Sequence, residues 1–154
     1  MLNNQTHGVH LAELEERLRC ADAFTSELMS EVIATACARF GALGSATKAK
    51  VKWLIEAGAW TDATIGLLRL ELPQWKLRRL VNEDGKWLCS LCKQPSIPLE
   101  YDEVAEASHE SLPLAILIAL LEAQRSTAGR AGAMATVPLV RRAPVESGCC
   151  DNFA

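Results

Sequence analysis

Aromatic side chains are scarce in this chain: eight of 154 residues, four of them tryptophans. Long apolar runs are missing as well. The longest, Leu112 to Ala123, falls short of the roughly 20 residues that a bilayer-crossing helix needs. The opening residues, MLNNQTHGVH, offer neither a basic start nor an apolar segment, so no secretory leader is expected. That points to a cytoplasmic protein whose cysteines are reduced thiols. Neither sign of charge dominates, with 16 Lys and Arg against 19 Asp and Glu, and a strongly charged disordered chain is therefore excluded. Signatures of catalysis are also lacking. There is no Gly-x-Ser-x-Gly elbow, no phosphate-cradling glycine loop and no His-Glu-x-x-His, and the only histidines are His7, His10 and His109.

What is present is a chain 49% hydrophobic and 23% charged, the profile of one globular domain. The small net charge conceals an uneven layout. Residues 1–44 hold three basic and six acidic side chains, residues 45–93 nine and five, residues 94–125 one and six, and residues 126–154 three and two. A basic middle between acidic flanks serves either as an anion-binding surface or as the complement that lets the segments pack together. The second reading is favoured. The four tryptophans, Trp53, Trp60, Trp75 and Trp87, fall in that basic middle and place the expected core there, because large rings bury much area.

Periodicity supplies the elements. From Leu11 through Leu14, Leu18, Phe24, Leu28, Val32, Ile33 and Phe40 an apolar stripe keeps helical spacing. Residues 11–43 are thus helical, either as one long helix or as a pair broken near Phe24, where Thr25-Ser26 could cap a restart. A second helix is expected over 46–57, stopped by Gly58. A third is expected over 61–72, with Thr61 as cap and Pro73 as terminator. Residues 75–92 read as a β-hairpin turning at Asn82-Glu83-Asp84-Gly85 through a three-residue loop with a bulge, which opposes Val81 to Trp87, Arg79 to Cys89 and Leu77 to Leu91. Glu100 to Glu110 is an acidic connector with a helical turn. Ser111 then caps a helix over 112–125 that carries Pro113 in its first turn and is apolar nearly all round. Such a helix is either central to the core or packed on a second copy of the chain. The Ala-, Gly- and Pro-rich residues 126–154 read as a disordered tail with one sticky point at Val137 to Val140. The expected whole is an α+β domain over residues 11–125, with about four helices and one hairpin, preceded by a flexible stretch over residues 1–10.

Three constellations invite chemistry. Cys89-Ser-Leu-Cys92 has metal-ligand spacing, but no second pair accompanies it, and on a strand residues three apart point to opposite faces. That register aims Cys89 inward and Cys92 outward, and neither zinc nor redox chemistry is expected, nor any cofactor. The order helix, turn, helix, hairpin matches a winged helix, with Lys76, Arg78, Arg79 and Lys86 as candidate phosphate contacts and Lys48, Lys50 and Lys52 adding charge. The helix that would read bases, Thr61 to Arg69, offers one arginine, a repulsive Asp62 and no Asn, Gln or Lys. Its exposed positions are small or apolar and suit protein contact better. His109 beside Glu110 and Asp102 forms at most a solvated acidic cluster.

The stretches Gly58-Ala-Trp-Thr-Asp-Ala63, Leu72-Pro-Gln-Trp-Lys-Leu-Arg-Arg-Leu-Val81, Asp84-Gly-Lys-Trp87 and Ser108-His-Glu-Ser-Leu-Pro-Leu-Ala-Ile-Leu117 resemble a group of short, uncharacterised bacterial proteins over the middle half of the chain. The resemblance implies a shared fold and a bacterial cytosolic setting, and it carries no activity, cofactor or catalytic residue. The expected function is a non-enzymatic module that binds a protein partner or itself, through the helix at Leu112 to Ala123 or the N-terminal helix. The alternative is a winged-helix nucleic-acid binder using Lys76, Arg78, Arg79 and Lys86.

Overall fold

The computed structural model describes residues 3–133. Among them are six α-helices and one three-stranded antiparallel sheet, so the α+β class holds with more elements than expected. The helices are α1 (Asn3–Arg19), α2 (Ser26–Ala36), α3 (Ala38–Ala42), α4 (Ser45–Glu56), α5 (Trp60–Glu71) and α6 (Leu112–Ala133). The strands are β1 (Lys76–Glu83), β2 (Lys86–Cys92) and β3 (Val104–His109), in the order β1-β2-β3. No helix of the described residues is long and apolar enough to cross a membrane.

The N-terminal stripe folds as separate helices rather than one. Thr25 takes an extended conformation and its hydroxyl accepts the Leu28 N–H at 3.2 Å, a cap that restarts the chain after the turn. Helix α1 begins at Asn3, so residues 3–10 are helical where a flexible stretch was expected. Cys37 separates α2 from the short α3, whose first N–H groups are satisfied from a distance: the Glu71 carboxylate accepts from Phe40 N at 2.8 Å and Arg39 N at 3.3 Å. Helix α5 starts one residue before the expected cap. Ala59 holds the N-cap position, and the Thr64 hydroxyl bonds back to the Thr61 carbonyl at 2.8 Å. Gly58, at φ +70°, supplies the left-handed stop after α4.

The hairpin forms with a tighter turn than expected. Glu83 pairs with Lys86, which leaves only Asp84 and Gly85 in the loop, at φ 51° and 82°. Both at positive φ is the pattern of a type I′ turn, whose twist matches that of the strands, and Asp tolerates the left-handed region better than most residues. The pairing near the tip is therefore offset by one residue from expectation: Asn82 opposes Trp87, Val81 opposes Leu88, Leu80 opposes Cys89 and Arg79 opposes Ser90. A bulge between Leu77 and Arg79 absorbs the offset. Below it Leu77 opposes Leu91, as the sequence predicts. The offset puts Leu80, not Val81, on the face with Cys89 and Leu91.

The third strand lies in the segment read as an acidic connector. It pairs with β2 through Trp87↔His109, Cys89↔Ala107 and Leu91↔Ala105. Alanines at its inward positions leave room for α6 to approach, and they are also why the segment lacks the β-branched signature of a strand. A 3-10 turn at Leu99–Tyr101 precedes it.

Helix α6 is the axis of the fold. Every residue from Leu114 to Leu121 is fully buried, between the β2–β3 face on one side and α1 and α5 on the others. Of the two readings of this helix, central to the core or packed on a second copy of the chain, that burial supports the first: its apolar surface is spent within the chain. It also runs past residue 125, so residues 126–133, expected in the tail, are helical. The rest of that tail, with Val137 to Val140, Cys149 and Cys150, lies outside the described residues. The tryptophans are not the core either. Only Trp75 is buried, while Trp60 and Trp87 are half-buried and Trp53 is 64% exposed.

Candidate functional site

The four candidate phosphate contacts do not converge. Lys76 and Lys86 are exposed, but they stand at opposite ends of the hairpin, separated by about 20 Å of strand. Arg79 is engaged by Glu83 at 2.8 Å. Arg78, the bulge residue, turns toward the loop between β2 and β3, with its guanidinium 3.5 Å from the Ile97 carbonyl and 4.0 Å from Asp102. The same loop is strapped down by the Asp102 carboxylate, which accepts the Gln94 N–H at 3.0 Å, and by the Lys93–Glu103 pair at 2.6 Å, with the Lys93 ammonium over the Trp75 ring. Arg78 is thus a structural tie.

Cys89 and Cys92 sit on one strand and are both fully buried. Cys92, expected to point outward, is enclosed by the strapped loop. Burial pushes the Cys89 thiol up to about 12. Burial first, and the Asp102 carboxylate next, push the Cys92 thiol up, with Arg78 acting the other way. Neither thiol is a nucleophile near neutral pH. Among the described residues no group of three or more His, Cys, Asp or Glu side chains could hold a metal ion. His109 ends β3 and its Nδ1 accepts the Ser111 N–H at 2.9 Å, while Asp102 precedes the other end of that strand, about 17 Å of β-structure away. The imagined acid–base cluster is not assembled. A polar cleft of about 230 Å³ does bring His109, Glu110, Lys86 and Asp22 near Cys20. There the Cys20 thiol donates to Glu16 at 3.6 Å, a contact that raises its pKa and keeps it a thiol. His10 pairs with Glu13 at 3.6 Å on α1.

The surface the sequence did not single out lies along α5. This helix buries Ala63, Thr64, Leu67 and Leu68 inward and is covered on one flank by α4, where the two helices meet so closely that a Cβ on Gly66 would lie 3.1 Å from Val51 Cγ2. On its outer side Ile65 and Arg69, four residues apart, form a ridge one turn long. A groove opens on each side of that ridge. The first, about 560 Å³, runs between α4 and α5 over Val51, Leu54 and Leu70 and is edged by Lys50 and Asp62. The second, about 520 Å³, runs between α5 and the start of β1 over Leu68, Pro73 and Leu77 and is edged by Lys76. Trp53 stands on α4 one turn beyond Lys50, and Leu77 is 39% exposed.

The cations of this surface are free of internal partners, unlike several elsewhere. Most cations elsewhere are neutralised within the fold: Arg17 by Glu31, Arg19 and Arg125 by Glu15, Arg79 by Glu83 and Lys93 by Glu103. Lys48 is spent on the Gly41 carbonyl at 2.6 Å. Among the described residues, six cations carry no ion pair besides Lys48: Arg39, Lys52 and Lys86 stand elsewhere on the surface, while Lys50, Arg69 and Lys76 are exposed at the grooves. Lys50 and Lys76 were visible in the sequence as charge. Which cations are left free was not, because that depends on carboxylates brought in from distant segments. Comparison with protein-family models, with curated proteins and with solved structures returns no match to this chain.

Proposed function

We propose that the chain is a non-enzymatic interaction module that docks a protein partner, or a second copy of itself, on the α4–α5–β1 face. The observation that supports this most is the pair of adjoining grooves flanking the Ile65–Arg69 ridge, with apolar floors, Leu77 exposed in one of them and Trp53 exposed on α4 one turn along from the groove residue Lys50. Apolar floors with polar edges are the anatomy of docking surfaces, and an aromatic beside such a floor is a frequent energetic anchor. The surface differs from the one expected. Helix α6 is consumed by the core, and the buried leucines of α1 (Leu11, Leu14 and Leu18) pack within the same core.

A nucleic-acid reading keeps Lys76 and Lys86 as free cations, but Arg78 and Arg79 are engaged and Asp62 edges the groove beside the helix that would enter DNA. It ranks second for that reason. Photocrosslinking separates the cases. Benzoylphenylalanine placed at Ile65 is expected to yield one defined protein adduct, a second copy included, and the purified pair should lose about tenfold or more in affinity on Ile65→Glu. Adducts formed only from Leu88, on the opposite sheet face, or only with nucleic acid, would overturn the proposal.

A further inference from the structure

We infer that the α4–α5 groove takes a short amphipathic helix with acidic flanks; this rests on the docking role proposed above and specifies its partner. Three observations carry it. The first is shape. Helices α4 and α5 are 12 residues each, about 18 Å long, and the cleft between two packed helices admits a third of about three to four turns, whose apolar stripe lies on the floor.

The second is charge. Lys50 projects from the α4 edge and Arg69 from the α5 edge of this groove, and neither has a carboxylate partner within the described residues. A helix seated between them meets a cation on each side, so glutamates or aspartates flanking its apolar stripe are neutralised, and a lysine-flanked helix is repelled. Asp62 on the same edge argues against a uniform polyanion. It favours a ligand whose charges are placed residue by residue.

The third is what the adjoining edge refuses. Strand β1 is an outer strand of the sheet and would be the natural site for an added strand. Its ladder is broken by the bulge between Leu77 and Arg79, and it carries Lys76 and Arg79, devices that discourage edge-to-edge pairing. A helical partner fits this face and an extended one does not.

The test uses the full chain and fluorescence anisotropy with three labelled peptides of about four turns: a leucine-striped helix flanked by glutamate, the same stripe flanked by lysine, and a scrambled glutamate peptide without a stripe. The glutamate-flanked helix is expected to bind. The Lys50→Glu/Arg69→Glu double variant should weaken it about tenfold or more and should favour the lysine-flanked helix instead. Both positions are exposed, so the variant is expected to keep the native circular dichroism and urea midpoint. Equal binding of the lysine-flanked helix to the native chain would overturn the acidic partner and leave the docking role standing. Failure of both striped peptides would overturn the docking role as well. Equal binding of the scrambled peptide would reduce the effect to unspecific attraction. Duplex DNA binding that the double variant abolishes would hand the surface to a nucleic acid.

Discussion

In α6 every side chain from Leu114 to Leu121 is enclosed, whereas in α5 Ile65 and Leu70 are only half covered and Arg69 stands in solvent. By composition alone the ranking runs the other way, since α6 is the more apolar helix and looks the better candidate for association. The difference lies in what the rest of the chain supplies. Helix α6 is surrounded by small inward residues, Ala105 and Ala107 of β3, and by the leucines of α1 and α5, so nothing is left to offer a partner. Helix α5 packs on α6, α4 and α3 but keeps an open outer side, and the hairpin that follows it stands off far enough to leave the second groove. Apolarity marks the core; incomplete cover marks the surface left open.

The largest test of that contrast is packing. Leu117→Ala should cost about 2–5 kcal/mol, the range for a leucine truncated in a closed core, and Ile65→Ala about 1 kcal/mol or less, both read from urea denaturation. Equal costs at the two positions would break the comparison. Next comes the polar anchor of α6. The Glu15 carboxylate, buried on α1, meets Arg19 at 2.6 Å and Arg125 at 3.2 Å. Glu15→Ala should destabilise by about 1–3 kcal/mol, less than a fully buried pair because both arginines stay partly in water.

The core side of the contrast also predicts a pH response. Burial raises the Cys89 thiol from 9.0 to about 12, and burial followed by the Glu71 charge raises Cys37 in the same direction. Above pH 9 the unfolded thiols lose protons that the folded ones keep, so folding stability is present in full below about 9 and falls as pH rises toward 12. In denaturation series at rising pH, a Cys37→Ala/Cys89→Ala variant should show a shallower decline than the native chain; an unchanged slope would count against the enclosed core. The smallest effect belongs to the α5 face. Lys50→Glu and Arg69→Glu should each shift stability by about 0.5 kcal/mol or less, since neither side chain is engaged.

Much of the fold is legible in the sequence. Thr25 announces its cap, Gly58 its stop, Ser111-Leu-Pro113 the start of α6, and Asp84-Gly85 the hairpin. The exact register was not, because Asp84 accepted a left-handed conformation and tightened the turn, and the bulge beside Arg78 then restored the expected pairing at Leu77. Strand β3 was hidden by its alanines, which are small for the sake of α6 and carry little strand signal of their own. The proposed docking surface was half visible. The exposed positions of α5 read as suited to protein contact, while Trp53 read as core, and only the assembled fold shows which of the many cations have no internal carboxylate to meet.

The most direct measurement of the central claim is the amide and indole chemical-shift map of the isotopically labelled full chain as the glutamate-flanked helix is added. Shifts centred on Ile65, Arg69, Leu70 and the Trp53 indole are expected, with Leu114 to Leu121 unmoved. Shifts centred instead on Lys86, Leu88 and Ser108, across the outer face of the sheet, would contradict that claim.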